Sequence, residues 1–156
     1  MSKIELIPLV AAQAPILAAL HAEGFDKPWP PEAFVRLLEN PARRGALALA
    51  AAAPQGFILL QQTPDETEVL TFVVACARRR HGIGAKLLEW AVETTRLAGC
   101  ARLLLEVAET NDAARALYDK LGFREIGARS GYYRRSQGTE TALLLERLVV
   151  APSGNR

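Results

Sequence analysis

Short apolar runs bounded by turn residues recur along the chain, and they predict β-strands. The run at residues 69–76 is apolar and rich in β-branched side chains, which is typical of a strand covered on both faces. Gly45 and a Pro-Gln-Gly turn signal bound an alanine-rich run, so we predict a hairpin that turns at residues 54–56. The predicted strands are residues 4–9, 46–53, 57–61, 69–76, 103–107, 123–127 and 141–150.

Other segments carry the 3.6-residue apolar period of amphipathic helices. In the clearest of them, residues 82–98, an apolar stripe runs opposite charged residues, and Gly99 follows as a stop signal. Pro31 suits the first turn of another. The predicted helices are residues 11–23, 32–39, 82–98 and 111–121. Because strands and helices alternate after residue 69, we predict a crossover between neighbouring parallel strands in a mixed, three-layer α/β domain.

Composition narrows the class of protein. The 156 residues are 50% hydrophobic and 23% charged, which fits one domain over residues 1–150, with residues 151–156 as a flexible tail. A net charge of +2 does not predict a broad surface for nucleic acid or acidic membranes. The chain shows no membrane-length apolar run, no secretory signal, and too few cysteines for a disulfide framework. We therefore expect a cytoplasmic protein with reduced thiols that binds neither membrane nor nucleic acid.

The segment before the helix predicted at residues 82–98 carries the sharpest chemical signal. Residues 78–84 have the sequence RRRHGIG, in which glycines let the backbone approach a ligand and the helix N-terminus favours an anion. A pyrophosphate would fit, although the spacing is that of neither a dinucleotide fingerprint nor a P-loop. The alternative is an ordinary strand-to-helix turn with solvated arginines.

Two further side chains are candidates for acid–base chemistry. Glu106 interrupts a strand predicted to be buried. Burial raises the pKa of a carboxyl group toward a value that suits a general base. Alternatively, it lies at the solvated end of the strand or pairs with an arginine. Tyr118, in the last predicted helix, could donate a proton or simply pack half in the core. Asn111 could bind a ligand or cap that helix. The histidines, His21 and His81, are too scattered to indicate a metal site.

Together these residues resemble the acetyl-CoA motif of the GNAT N-acetyltransferase superfamily. VLTFVVACARRRHGIGAKLLEWA has the R/Q-x-x-G-x-G/A core at Arg79, Gly82 and Gly84. The continuation LLLEVAETNDAARALYDKLGFREIGARSGYY is closer to bacterial ribosomal-protein alanine N-acetyltransferases, and Pro28 with Trp29 matches another element of that subfamily. The similarity spans roughly residues 68–148. It implies the GNAT fold, a three-layer α/β/α arrangement whose mixed, mostly antiparallel sheet splays open between the strands at residues 69–76 and 103–107.

The resemblance also implies acetyl-CoA as cosubstrate and no metal. Glutamate and tyrosine residues that match Glu106 and Tyr118 are the proton acceptor and proton donor of the subfamily. The implied acetyl-CoA contacts are Phe72, Val73, Val74, Arg79, Arg80, His81, Gly82, Ile83, Gly84, Ala85 and Asn111. Acceptor contacts are expected from Trp29, Glu32, Phe34, Tyr132, Tyr133 and Arg134, with loop packing as the alternative for the aromatic ones.

The expected reaction is direct transfer of the acetyl group to a primary amine within a ternary complex. An α-amino group, with a pKa of about 7.7–8.0, is neutral at pH 7 far more often than lysine, with a pKa of about 10.4. This favours a protein N-terminus, and the resemblance implies a ribosomal protein that begins with alanine. Two alternatives stay open: a small amine such as a polyamine, amino acid or antibiotic as acceptor, and an acyl-CoA-binding module without turnover.

Overall fold

The computed structural model describes residues 3–75, 82–135 and 138–150, and within these the side chains of residues 130–139 lie outside the description. Seven strands and four α-helices occur in these ranges. The strands are β1 (Ile4–Pro8), β2 (Arg43–Ala50), β3 (Ala53–Gln62), β4 (Glu66–Val74), β5 (Arg102–Ala108), β6 (Arg124–Arg135) and β7 (Gly138–Leu148). The helices are α1 (Ala14–Gly24), α2 (Pro31–Leu38), α3 (Ile83–Leu97) and α4 (Asp112–Lys120), with a 3-10 helix, Ala11–Gln13, before α1.

All seven strands form one sheet in the order β1-β2-β3-β4-β5-β7-β6. Neighbouring strands are antiparallel except β4 and β5, which run parallel. Helix α3 lies between β4 and β5 in the chain, as a parallel connection requires. The predicted crossover and the mixed, mostly antiparallel sheet are therefore confirmed.

The parallel pairing of β4 with β5 is short. It comprises Glu66 with Arg102, Thr67 with Leu103, and Glu68 with Leu104. Both strands continue beyond the last of these pairs, β4 to Val74 and β5 to Ala108, without pairing to each other. We call the gap between β4 residues 69–74 and β5 residues 105–108 the fork.

Helices cover both faces of the sheet, so the predicted three layers are confirmed. Along β3, Phe57 and Leu59 pack with α1 and α2, whereas Ile58 and Leu60 pack with α3 and α4. The alternation follows from the two-residue period of a strand. Each face of the sheet packs on its own buried apolar cluster. Residues of β4 and β5 that border the fork contribute side chains to these clusters.

The β2–β3 hairpin was predicted in the right place but with the wrong turn. It turns at Ala51 and Ala52, whose φ angles of 49° and 68° are both positive, as a two-residue type I′ turn requires. Pro54 and Gly56 lie inside β3, and Gln55 between them is the extra residue where the register with β2 shifts. The Pro-Gln-Gly signal therefore marks a β-bulge, which also favours residues that break a regular strand.

Other boundaries differ because tertiary pairing extends the strands. Strand β4 begins at Glu66 because residues 67–68 pair with both β3 and β5, and Cys76, at the predicted end, is outside the described residues. Strands β6 and β7 pair with each other far beyond the predicted residues 123–127 and 141–150. The predicted tail, residues 151–156, lies outside the description. No helix within the described ranges has both the length and the apolar character needed to cross a membrane.

Candidate active site

The fork exposes one edge of β4 to a ligand. On its other side β4 pairs with β3, and the register shifts between Leu59 and Leu60, so Leu70 is an extra residue in β4. Such a bulge bends its strand, which accounts for the departure of β4 from β5. Residues 69–74 do not pair with β5, so this edge can bind an elongated ligand that carries amide groups. The predicted contacts Phe72, Val73 and Val74 lie in this stretch.

The N-terminus of α3 lies beside the end of β4. Gly82 is the N-cap residue with φ of 80°, a left-handed conformation that glycine adopts without strain. A side chain at Gly84 would place its Cβ atom 3.3 Å from the Phe72 ring and 3.2 Å from the Leu117 side chain. Glycine at this position therefore allows α3 to pack closely on β4 and α4.

This arrangement fits acetyl-CoA. The first amide groups of α3, from Ile83, Gly84 and Ala85, lack partners within the helix and lie at its positive end, where a pyrophosphate is favoured. The edge of β4 that borders the fork suits the amide groups of pantetheine. The predicted contacts of Arg79, Arg80 and His81 lie outside the described residues.

Glu106 lies in the middle of β5 and is not buried as expected. Its neighbours Leu105 and Val107 are 2% and 5% exposed and face α3 and α4. Strand alternation turns Glu106 to the other face, where 33% of its side chain is exposed. One carboxylate oxygen lies 3.9 Å from a guanidinium nitrogen of Arg129. Of the alternatives raised from the sequence, the arginine partner is present, whereas the position at the end of the strand is not.

A second carboxylate, Glu68, faces Glu106 from the opposite strand and was not singled out from the sequence. Glu68 is paired with Leu104, the last contact before the fork, so it lies on the same sheet face as Glu106. Partial burial raises its pKa, and the negative charges of Glu106 and Glu66 raise it further. The two carboxylates lie where β4 and β5 part, which we call the mouth of the fork. Their negative charge there attracts a cationic amine. The signal that was available is the predicted parallel pairing, which brings an acid from each strand together.

Tyr118 lies on the other side of the fork from Glu106. It is 6% exposed, and its ring centroid is 6.4 Å from that of Phe72 in β4 and 5.6 Å from that of Phe123. The core cluster under α3 and α4 includes Tyr118, so a group held in the fork would have the phenol on one face of the sheet and the Glu106 carboxylate on the other. Asn111 caps α4, with Oδ1 accepting the amide N–H of Ala114 at 3.2 Å.

The loop between α1 and α2, residues 25–30, carries the predicted acceptor contact Trp29. We call this segment the acceptor loop. Trp29 is half-buried and Glu32, in the first turn of α2, is exposed. Phe34 is 0% exposed and packs in the core, as the packing alternative describes; its contact with the acceptor stays a prediction. The backbone of Tyr132, Tyr133 and Arg134 belongs to β6, but their side chains lie outside the description.

His21 is a feature that sequence reasoning missed. It is 1% exposed at the end of α1, and burial lowers its pKa from 6.5 to about 4, so the ring is neutral at pH 7. Its Nδ1 accepts the amide N–H of Trp29 at 3.1 Å, and its Nε2 lies 3.1 Å from Oγ1 of Thr71 in β4. A polar residue continuing the apolar face of α1, after Leu17 and Leu20, was the available signal.

Comparisons with known proteins agree with this geometry. The family model described as "Acetyltransferase (GNAT) family" matches residues 14–123. "N-alpha-acetyltransferase RimI" of Mycobacterium tuberculosis is 41% identical over 137 residues, 82% of this chain and 83% of that protein. "[Ribosomal protein bS18]-alanine N-acetyltransferase" of Escherichia coli strain K12 is 37% identical over 89 residues, 57% of this chain and 60% of that protein.

Among solved structures, the crystal structure of the ribosomal-protein-S18-alanine N-acetyltransferase from Escherichia coli is similar over almost the whole chain. The TM-score is 0.90 at 25% sequence identity, and 99% of each chain is covered. The GNAT fold expected from the resemblance is therefore confirmed.

Proposed function

The chain belongs to the acetyltransferase (GNAT) family and is an acetyl-CoA-dependent N-acetyltransferase, and on that premise we propose that its acceptor is the N-terminal α-amine of a protein, of the ribosomal-protein alanine type. The observation that carries this proposal is the similarity to relatives named for α-amine and ribosomal-protein acetylation, which extends over most of the chain. The acidic mouth of the fork supports it, because an α-amine arrives largely as an ammonium ion.

In the proposed complex, acetyl-CoA lies in the fork. The backbone of Phe72, Val73 and Val74 binds the pantetheine as an added strand would, and the amide groups of residues 82–85 bind the pyrophosphate. Arg79, Arg80 and His81 add positive charge there. Asn111 contributes mainly by starting α4 at the correct position, since its side chain oxygen caps the helix.

The chemical step joins the amine nitrogen to the thioester carbon and breaks the carbon–sulfur bond. Glu106 accepts the proton that the amine must lose, directly or through one water molecule. A backbone N–H of β4 stabilises the carbonyl oxygen as negative charge develops on it. Tyr118 donates its proton to the departing thiolate from the opposite face of the sheet. The two faces of the fork thus keep the base and the acid apart.

The acceptor binds at the mouth of the fork. In the proposed complex Trp29 of the acceptor loop and Glu32 of α2 contact the acceptor. Tyr132, Tyr133 and Arg134 stay predicted contacts, since their side chains lie outside the described residues. Glu68 lies beside Glu106 at this mouth and attracts the α-ammonium. A free N-terminus that enters the fork presents its α-amine. Internal residues other than lysine have no amine, and the lysine amine is neutral far less often at pH 7.

The test is a panel of acceptors assayed with acetyl-CoA and read by mass spectrometry. It contains peptides that begin with alanine, the same peptides with other first residues or a blocked N-terminus, and small amines such as polyamines and amino acids. We expect acetylation of alanine-starting peptides at the α-amine only. Preferential acetylation of a small amine would contradict the proposed acceptor.

A matched variant separates catalysis from binding. We expect Tyr118→Phe to lower kcat by about 100-fold, because general acid catalysis contributes on the order of 100-fold or more, and to leave the affinity for acetyl-CoA unchanged in calorimetric titration. Binding of CoA without acetylation of any amine by the unaltered protein would instead indicate a binding module.

A further inference from the structure

The acceptor loop has few backbone N–H groups that could donate hydrogen bonds and so stabilise its conformation. Pro28, Pro30 and Pro31 have no amide hydrogen, so Trp29 supplies the one backbone N–H between Lys27 and Glu32. That N–H is donated to a side chain, Nδ1 of His21, at 3.1 Å. The conformation of the loop around Trp29 therefore depends on an imidazole from the preceding helix.

Hydrogen bonding determines the tautomer of His21. Because Nδ1 accepts the Trp29 amide, it carries no proton, and the proton of the neutral ring lies on Nε2. Nε2 then donates to Oγ1 of Thr71 at 3.1 Å. The ring is 1% exposed and Thr71 is 5% exposed, so no water competes freely for these bonds. One imidazole thus connects the acceptor loop to β4 through two directional hydrogen bonds.

Aromatic stacking restrains the same ring. The Phe25 ring lies 4.2 Å from the His21 ring at an interplanar angle of 13°, and the Trp29 ring lies 4.8 Å away at 25°. Two near-parallel rings cannot occupy one face of an imidazole at these distances, so Phe25 and Trp29 lie on opposite faces. Phe34 packs edge-on at 5.6 Å. Both ends of the acceptor loop are therefore stacked on His21.

Thr71 belongs to the part of β4 that borders the fork, directly before Phe72. We propose that His21 is a positioning residue for the acceptor: it holds Trp29 at a set place relative to the strand that binds acetyl-CoA, so that the amine meets the thioester. This inference rests on the proposed function, in which Trp29 contacts the acceptor. His21 itself touches neither substrate and acts through Trp29 and Thr71.

Two substitutions separate the two hydrogen bonds. In His21→Asn the side chain oxygen can take the place of Nδ1 and accept the Trp29 amide, whereas in His21→Gln the amide nitrogen can take the place of Nε2 and reach Thr71. His21→Phe retains an aromatic ring for stacking and removes both bonds. The measurements are KM for the best peptide acceptor, KM for acetyl-CoA, and kcat, with the unfolding midpoint recorded for each variant.

We expect His21→Gln and His21→Phe to raise KM for the peptide by about tenfold, which corresponds to about 1.4 kcal/mol, and His21→Asn to raise it by about threefold or less. KM for acetyl-CoA should stay within about twofold in all three. Equal KM changes in the Asn and Gln variants, an unchanged peptide KM in His21→Phe, or an equal rise in both KM values would each overturn the proposal. If His21→Phe does not fold, the Asn and Gln pair decides.

A second readout requires no acceptor. Hydrogen exchange of the Trp29 amide in the protein with acetyl-CoA bound should be at least tenfold faster in His21→Gln than in His21→Asn. Equal exchange rates would overturn the positioning role whatever the acceptor is. If the unaltered protein acetylates small amines but no peptide, the proposed function fails, and the same KM comparison with the small amine then decides whether His21 positions that acceptor.

Discussion

Two glutamates on the same face of the sheet, Glu146 in β7 and Glu106 in β5, have opposite surroundings. Glu146 lies level with Leu104, the last residue of β5 that pairs with β4, which we call the closed end; Glu106 lies two residues further along β5, which we call the open end. At the closed end, where the strands pair, the carboxylate of Glu146 is 5% exposed and accepts hydrogen bonds from Arg102 at 3.0 Å and from Arg124 at 3.0 and 3.1 Å. At the open end, where the strands part, Glu106 is exposed and its arginine lies 3.9 Å away.

The difference shows how strand pairing determines the surroundings of a carboxylate. Hydrogen bonds from Arg102 and then from Arg124 hold the pKa of Glu146 below its usual value, and both of its oxygens are occupied. On β4, partial burial and then the charges of Glu106 and Glu66 raise the pKa of Glu68, which pairs with Leu104 at the edge of the fork. Pairing between strands brings arginines close enough to satisfy a carboxylate, whereas the fork leaves acceptor capacity for a substrate.

The largest difference between substitutions at Glu106 and Glu146 should appear in kcat. We expect Glu106→Gln to lower kcat by about 100-fold, because amide nitrogen and oxygen cannot accept the proton of the amine. The matched change at the closed end, Glu146→Gln, should leave kcat within about twofold at a temperature where the variant is folded. Steady-state kinetics with a peptide acceptor measures both. Similar losses in the two variants would show that the ends are not functionally distinct.

For thermal stability we expect the reverse: the substitution at Glu146 should have the larger effect. At pH 7 we expect Glu146→Gln to lower the unfolding midpoint by roughly 5 °C, because two arginines lose a buried ionised partner. Glu106→Gln should shift the midpoint by no more than about 1 °C, since its side chain is partly exposed and its ion pair with Arg129 is long, at 3.9 Å. Thermal unfolding followed by circular dichroism decides; a larger loss for Glu106→Gln would reverse the comparison.

The stability contrast should depend on pH. The pKa of Glu146 is lower in the folded protein than the ordinary value of 4.5, so its contribution is complete above about pH 4.5 and is lost as the pH falls through the folded-state pKa. The difference in midpoint between the unaltered protein and Glu146→Gln should therefore narrow below pH 4.5. A difference that stays constant down to pH 2.5 would argue that packing, not ionisation, accounts for it.

The smallest effect is expected at Glu68, and its sign is opposite. A pKa raised above 4.5 in the folded protein means that ionisation of Glu68 reduces stability as the pH rises above 4.5. Glu68→Gln should thus be slightly more stable than the unaltered protein at pH 7 and equal to it at pH 4. Thermal unfolding at pH 4 and at pH 7 measures both differences. A Glu68→Gln variant less stable than the unaltered protein at pH 7 would contradict the raised pKa of Glu68.

Much of the fold followed from local patterns. Helix α3 has its expected apolar stripe, and Gly82 and Gly99 at its ends both have positive φ, 80° and 78°. The parallel crossover followed from the alternation of strands and helices. The β2–β3 turn did not, since two alanines in a left-handed conformation carry no recognisable turn signal. The long β6–β7 hairpin was missed because its polar tip has no apolar alternation to reveal it.

The candidate site was predictable in part. Glu106 and Tyr118 were identified because a carboxylate and a phenol stood out in apolar surroundings, and the structure places them on opposite faces of the fork. His21 and Glu68 were not identified. Their environments come from distant segments: Thr71 is 50 positions from His21, and Glu106 lies on a separate strand from Glu68. The residues adjacent to His21 and Glu68 in the sequence do not indicate which distant side chains surround them.

By itself, the sequence determined the strand and helix types, the glycines at the start of α3, and the family to which the chain is similar, because these depend on residues within one or two turns of each other. Only the tertiary structure decided which carboxylates accept hydrogen bonds from arginines and which face the fork. The reason is that Arg102 and Glu146, 44 positions apart, meet through the pairing of β5 with β7, whereas the pairing of β4 with β5 ends at Glu68 and Leu104. The candidate site lies where β4 and β5 separate.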